Sequence, residues 1–186
     1  FTTPTPLAWS YDSPVTAIGA GLEAAVFVLA NGSTVVTGSG SLRTAATSDP
    51  GFAPTVVPMR AGCAPGGLSV ALETAVVRCA DNVSIVGWGD NSRNQLENAT
   101  ANTTTITNVT DNLEGLFGTS VGIASVAVSP THMVVLLSNG TAYGRGSNAD
   151  GQLALGASVT AADMFIELPF ANAPTASPVI TDVAVG

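Results

Sequence analysis

Ser129-Pro130-Thr131-His132-Met133-Val134-Val135-Leu136-Leu137-Ser138-Asn139-Gly140-Thr141-Ala142-Tyr143-Gly144-Arg145-Gly146-Ser147-Asn148-Ala149-Asp150-Gly151-Gln152-Leu153 is the stretch that decides the fold, because it recurs. Lowering each number by 57 gives a second copy. In it Ala75 replaces His132, Asn82 replaces Asn139, Gly87-Trp88-Gly89 replaces Gly144-Arg145-Gly146, and Asn91 and Asn94-Gln95-Leu96 close the unit without a gap. A further step of 51 gives a first copy, with Gly21 at the Ser129 position, Asn31-Gly32 at the turn and Val36-Thr37-Gly38 at the glycine triplet. There the match fades through Ser41-Leu42-Arg43. Val183-Ala184-Val185-Gly186 repeats Val126-Ala127-Val128-Ser129, so a fourth copy begins where the sequence ends.

A period of about 50 to 60 residues filled with short strands reads as a propeller blade or a β-solenoid coil. Asn31-Gly32 and Asn139-Gly140 each separate two apolar runs, as a two-residue type I′ hairpin turn would require, and this favours the blade. The runs Ala24 to Ala30, Ala75 to Ala80 and His132 to Leu137 are short, Val-rich and apolar throughout, which predicts strands buried on both faces. Thr34 to Thr37, Ser84 to Trp88 and Thr141 to Arg145 are their hairpin partners. Ser69 to Ala71 and Val126 to Val128 supply a preceding strand. Thr55 to Pro58 and Phe165 to Leu168 supply an outer strand, where nearby prolines are tolerated.

The pattern Gly-x-x-His, then Asp/Asn-Gly, then Trp-Gly, then Asn-x-x-Gly-Gln-Leu-Gly resembles the repeat of the regulator of chromosome condensation propellers. The third unit carries it at His132, Asn139, Gly140, Gly146, Asn148, Gly151, Gln152 and Leu153, and departs at Arg145, where the family has Trp. The second carries Trp88, Gly89, Asn91, Gln95 and Leu96 and departs at Ala75, where the family has His. The first keeps Gly21, Asn31, Gly32 and Gly38. The resemblance implies an all-β chain of four-stranded antiparallel blades, part of a ring of about seven. It also implies a structural His132, bonded across its blade. The expected layout is blade one over about 15–58, blade two over about 66–118 with an inserted, exposed Asn/Thr-rich loop at 97–112, blade three over about 123–170, and the start of blade four over about 179–186. Three blades would leave two open edges, so the chain reads as a segment of a longer protein.

Composition bears on partners and compartment. There is no Lys; Arg43, Arg60, Arg78, Arg93 and Arg145 face thirteen Asp and Glu, for a net charge of −8. Binding to phosphate backbones needs clustered basic side chains, so a nucleic-acid surface is not expected. Six of the eleven Asn begin acceptor sequons: Asn31, Asn82, Asn98, Asn102, Asn108 and Asn139. Asn31, Asn82 and Asn139 fall at one turn position in three blades and the others in the 97–112 stretch. Read as N-glycosylation sites, they place the chain at the cell surface or outside the cell. The alternative reading is turn chemistry and a polar loop. Cys63 and Cys79 fit an oxidising compartment if they form a disulfide, with two separate buried thiols as the alternative. No apolar run approaches membrane-spanning length.

Chemistry-bearing constellations are sparse. One His, no Cys-x-x-Cys and no calcium-loop spacing give no metal or cofactor expectation. Gly38-Ser39-Gly40-Ser41 lacks the Lys of a phosphate loop and reads as a simple loop. Glu23 and Glu73 stand one position out of register and read as solvated strand ends, while Trp88 and Arg145 read as packing or rim residues. The expected function is therefore a non-enzymatic structural or interaction module of an extracellular glycoprotein, such as a cell-surface, coat or filament component. Its partners would be other protein subunits, the missing blades and N-linked glycans. The alternatives are a guanine-nucleotide exchange factor, which the resemblance implies, and a secreted lectin or an enzyme inhibitor like the bacterial β-lactamase inhibitor of similar fold.

Overall fold

The structure, a computed structural model, describes residues 12–43, 54–96, 103–110, 113, 115, 121–169 and 180–186. These form three four-stranded antiparallel sheets. Blade one contains β1 (Val15–Ala20), β2 (Ala24–Leu29), β3 (Thr34–Gly38) and β4 (Thr55–Val57). Blade two contains β5 (Pro65–Ala71), β6 (Thr74–Cys79), β7 (Ile85–Gly89) and β8 (Thr103–Asn108), and blade three contains β9 (Ile123–Val128), β10 (His132–Leu137), β11 (Ala142–Ser147) and β12 (Ala161–Glu167). In each sheet sequential strands are neighbours, so the chain walks outward from an inner strand to an outer one and then begins the next blade.

Within a strand, successive side chains alternate between the two faces of the sheet, and each face packs on a neighbouring blade. Ala75, Val77, Cys79, Val86 and Trp88 turn toward blade one and pack with Val26, Val36, Leu42 and Val57. Val76 and Ile85 turn the other way and pack with Met133, Val135, Leu137, Tyr143 and Phe165 of blade three. The far face of blade three, with Val134, Leu136, Ala142, Leu153 and Ala162, receives Ile180, Val183 and Val185. Each fully buried Val or Leu in these seams contributes roughly 1.5–3 kcal/mol. The seams are therefore where the stability of the array resides.

Three sequence expectations change here. The Asn-Gly turns are three-residue loops, not two-residue type I′ turns. Leu29 N donates to Ser33 O and Gly32 N to Leu29 O, with only Gly32 at positive φ (+83°); Leu137, Thr141 and Gly140 (+87°) repeat this. This is a type I turn closed by a glycine bulge. Blade two holds one residue more in its loop: Cys79 N donates to Ser84 O, and Asn82 takes the positive φ (+56°). Finally, residues 103–108, expected within an inserted loop, form β8, the outer strand of blade two, paired with β7. Their Thr-rich composition suits a strand, which the Asn content around them masked.

Candidate interaction surface

The extra residue in the blade-two hairpin changes which positions correspond. Thr74 pairs with Gly89 as Ala24 pairs with Gly38 and His132 with Gly146, so the counterpart of His132 is Thr74, not Ala75. The three glycines share positive φ angles of +100°, +103° and +98°. A Cβ on any of them would run into a backbone carbonyl, of Glu23, Glu73 and Thr131 respectively. Glu23 and Glu73 are thus in register, again against expectation. At the opposite end of the blades, Asn31 Oδ1 accepts from Ser33 N and Asn139 Oδ1 from Thr141 N. The residue doing the same in blade two is Asp81, whose Oδ1 accepts from Val83 N and Ser84 N. Partial burial works to raise the Asp81 pKa, but those amides, the Ser84 hydroxyl and the Arg78 charge outweigh it and hold the carboxyl below its ordinary value. Asn82 lies one residue further on and contacts Arg78. The three sequon residues therefore do not share one position.

The remaining distinctive polar residues hold the blades. Asn91 Oδ1 accepts from Leu96 N and Asn148 Oδ1 from Leu153 N, each at 2.8 Å, closing the loop after the third strand. Trp88, fully buried, donates from Nε1 to Leu42 O of blade one at 2.9 Å. Arg145, at the matching position and 1% exposed, donates from Nε to Asn94 O of blade two at 2.9 Å and from Nη2 to Asp163 O at 2.8 Å. Its guanidinium lies 5.3 Å from the Phe165 ring centre, within cation–π range. Gln95 Nε2 reaches Pro130 O of blade three at 3.1 Å, whereas its counterpart Gln152 is exposed and turned back to Asp150.

His132 is buried. Ser129 Oγ accepts from the amides of Thr131 and His132, which leaves its proton for His132 Nδ1, 2.6 Å away. The neutral ring accepts at Nδ1 and carries its hydrogen on Nε2. Burial lowers its pKa below the ordinary value. Cys63 and Cys79 are joined, with Cα atoms 5.0 Å apart, tying the segment that enters blade two to the end of β6. Asn108 Oδ1 accepts from Thr110 N and Oγ1; Asn98 and Asn102 lie outside the described residues. Among the described residues no group of three His, Cys, Asp or Glu could hold a metal, and no helix is long and apolar enough to cross a membrane.

Residues 123–152 match the model of the regulator of chromosome condensation (RCC1) repeat. The fold agrees: human WBSCR16 superposes with a TM-score of 0.69 at 17% identity, over 87% of this chain and 39% of that one. Prp20p from Saccharomyces cerevisiae superposes at 0.66 and 12% identity, over 83% of this chain and 38% of its own. Yeast RCC1 (Prp20), solved bound to Kap60, superposes at 0.66 and 16% identity, over 94% and 40%. This chain is a partial propeller of RCC1-type blades. It spans about two fifths of the length of these neighbours. No curated protein sequence matches it.

RCC1-type propellers are generally non-enzymatic interaction or exchange-factor modules. Prp20p was characterised for its binding to Gsp1p and histones, and yeast RCC1 for its complex with Kap60. The placement outside the cell is corrected by this comparison: the structural neighbours are intracellular, nuclear or mitochondrial, proteins and point away from it. The excess of Asn-x-Ser/Thr has a local cause at the turns, where Asn31 and Asn139 serve as side-chain acceptors.

Proposed function

We propose that this chain is a non-enzymatic protein-interaction module, a set of RCC1-type blades that presents its loops to a protein partner. The observation that carries the reading is where the polar chemistry goes. His132, Trp88, Arg145, Gln95, Asn91 and Asn148 are buried and bonded within the blades or across their seams. None is left facing a cleft where it could act on a substrate. What remains for function is surface, and that surface is acidic and without Lys. Neighbours of this fold bind a small GTPase, histones or an importin, and the acidic balance favours a basic partner among these classes.

The test is equilibrium binding of the full-length protein to purified core histones and to an importin-type carrier, alongside nucleotide release from a small GTPase of the same cell. Saturable binding to a basic protein without turnover of any substrate is the expected result. Catalytic nucleotide release would move the chain to the exchange-factor class, and turnover of a small-molecule substrate would overturn the reading.

A further inference from the structure

The turn between the first and second strands of each blade lies at the same end as the glycine-led loops. Its central pair is Leu22-Glu23 in blade one, Leu72-Glu73 in blade two and Pro130-Thr131 in blade three. Leu22 N donates to Leu72 O at 2.8 Å, so the two leucines are neighbours across the seam. Leu22 is 66% exposed and Leu72 47%. Leu72 has a blade on either side of it, so an open edge does not account for its exposure. By contrast Ile18, also exposed, stands where Leu68 of blade two packs into the seam, and its exposure belongs to the free face of blade one. Leu72 also holds a φ of +45°, a left-handed conformation that a leucine adopts at a cost and that Gly or Asn would adopt more readily. A half-exposed leucine at this positive φ stands where the backbone favours glycine, so the turn's conformation does not explain the choice of an apolar side chain.

Carboxylates flank the pair. Glu23 is exposed and receives Ser39 Oγ at 2.8 Å, and Glu73 receives the amide and hydroxyl of Ser41 at 3.2 and 2.6 Å. Gly38-Ser39-Gly40-Ser41 thus strings between the two acids and fixes their side chains beside the leucines. Each carboxylate retains lone pairs for a further donor. The nearby cation, Arg43, is directed to Gly38 O and Thr55 Oγ1.

We propose that Leu22 and Leu72, with Glu23 and Glu73, form a docking site for a basic protein segment that places an aliphatic side chain between cationic ones. The proposal rests on the interaction-module reading above and names the chemistry of its partner. The leucines give the segment an apolar seat, and the oriented carboxylates select Lys or Arg beside it.

The experiment is fluorescence anisotropy of the full-length protein with a labelled twelve-residue peptide alternating Lys and Leu, against a Lys/Ser peptide of equal charge. The Lys/Leu peptide is expected to bind at least tenfold more tightly. Leu72→Gly should weaken it about tenfold while raising the melting temperature, and Glu23→Gln should weaken it and flatten its salt dependence. The rise in melting temperature keeps loss of binding from being read as misfolding. Equal binding of the two peptides, or full affinity in Leu72→Gly, overturns the site. If histone or importin-type binding persists in Leu72→Gly and Glu23→Gln, this site is wrong and the interaction-module reading stands. If the protein binds none of these partners, both fall.

Discussion

Two seams join the three blades, and the same strand position closes both with different chemistry. Between blades one and two an indole does it: Trp88 is fully buried and uses its single donor on Leu42 O. Between blades two and three a guanidinium does it: Arg145 spreads its donors over Asn94 O and Asp163 O and lies near the ring of Phe165. Around them the first seam is lined mainly by Val, Ala and Cys, the second by Met, Ile, Leu, Tyr and Phe. The larger side chains in the second seam accompany a cation that cannot be buried without partners. What a seam position requires is a large planar side chain with an N–H aimed at a carbonyl of the preceding blade. Aromaticity is one way to supply it.

Trp88→Ala should give the largest effect. It removes a fully buried indole and leaves Leu42 O without its donor, and about 3–5 kcal/mol of unfolding free energy should be lost in urea titrations of the full-length protein. A loss under about 1 kcal/mol would mean that the first seam does not depend on this side chain. Arg145→Ala should cost roughly 2–4 kcal/mol, because two part-buried carbonyls lose charge-assisted donors and the buried guanidinium leaves a cavity. Arg145→Trp converts the second seam to the first seam's chemistry and should recover at least half of that loss. If tryptophan is as damaging as alanine at 145, the two seams are not interchangeable and the shared geometric requirement is wrong.

The comparison also exposes a weakness in blade one. Thr34 occupies the position of Ile85 in blade two and Ala142 in blade three, and its buried hydroxyl has no hydrogen-bond partner among the described residues. Thr34→Val keeps the shape and removes the unsatisfied oxygen, and should stabilise the protein by about 1 kcal/mol. A destabilised variant would show that the hydroxyl has a partner in solution.

Much of this architecture could be read from the repeat, and the register errors trace to one inserted residue. The 57-residue offset is right for β7 and β11, where Gly87-Trp88-Gly89 meets Gly144-Arg145-Gly146. It is wrong by one for β5 and β6, because the blade-two hairpin has four loop residues where the others have three. A strand read one residue out of register has every side chain on the wrong face. That slip put Ala75 in place of Thr74, put Asn82 in place of Asp81, and set Glu23 and Glu73 out of register. The compartment was misread because an Asn-Gly-Ser/Thr turn and a glycosylation sequon are the same letters. The seam roles of Trp88 and Arg145 were legible only as packing, since the carbonyls they reach lie 46 and 51 residues away in sequence. Leu72 gave no sequence signal at all: that it stays exposed with a blade on either side is visible only in the folded array.

The smallest effect sharpens the comparison between Thr74 and His132, which occupy one position in successive blades. Thr74 Oγ1 donates to Asp90 O and does not titrate, whereas His132 is held neutral by burial with its Nδ1 accepting from Ser129. Its pKa is depressed in the folded state, so the unfolded chain binds a proton more readily as the pH falls below the ordinary histidine value of about 6.5. The contribution of His132 is therefore fully present above that pH and is lost as the pH falls toward the folded-state pKa. Unfolding free energy measured from pH 7.5 to 5 should decline in the wild type, and His132→Thr should decline less over the same interval. Carboxylates such as Asp81 titrate lower and contribute to both proteins alike. Parallel pH profiles would mean that the imidazole is protonated as easily in the blade as in the open chain, and that Ser129 does not hold it in the neutral form.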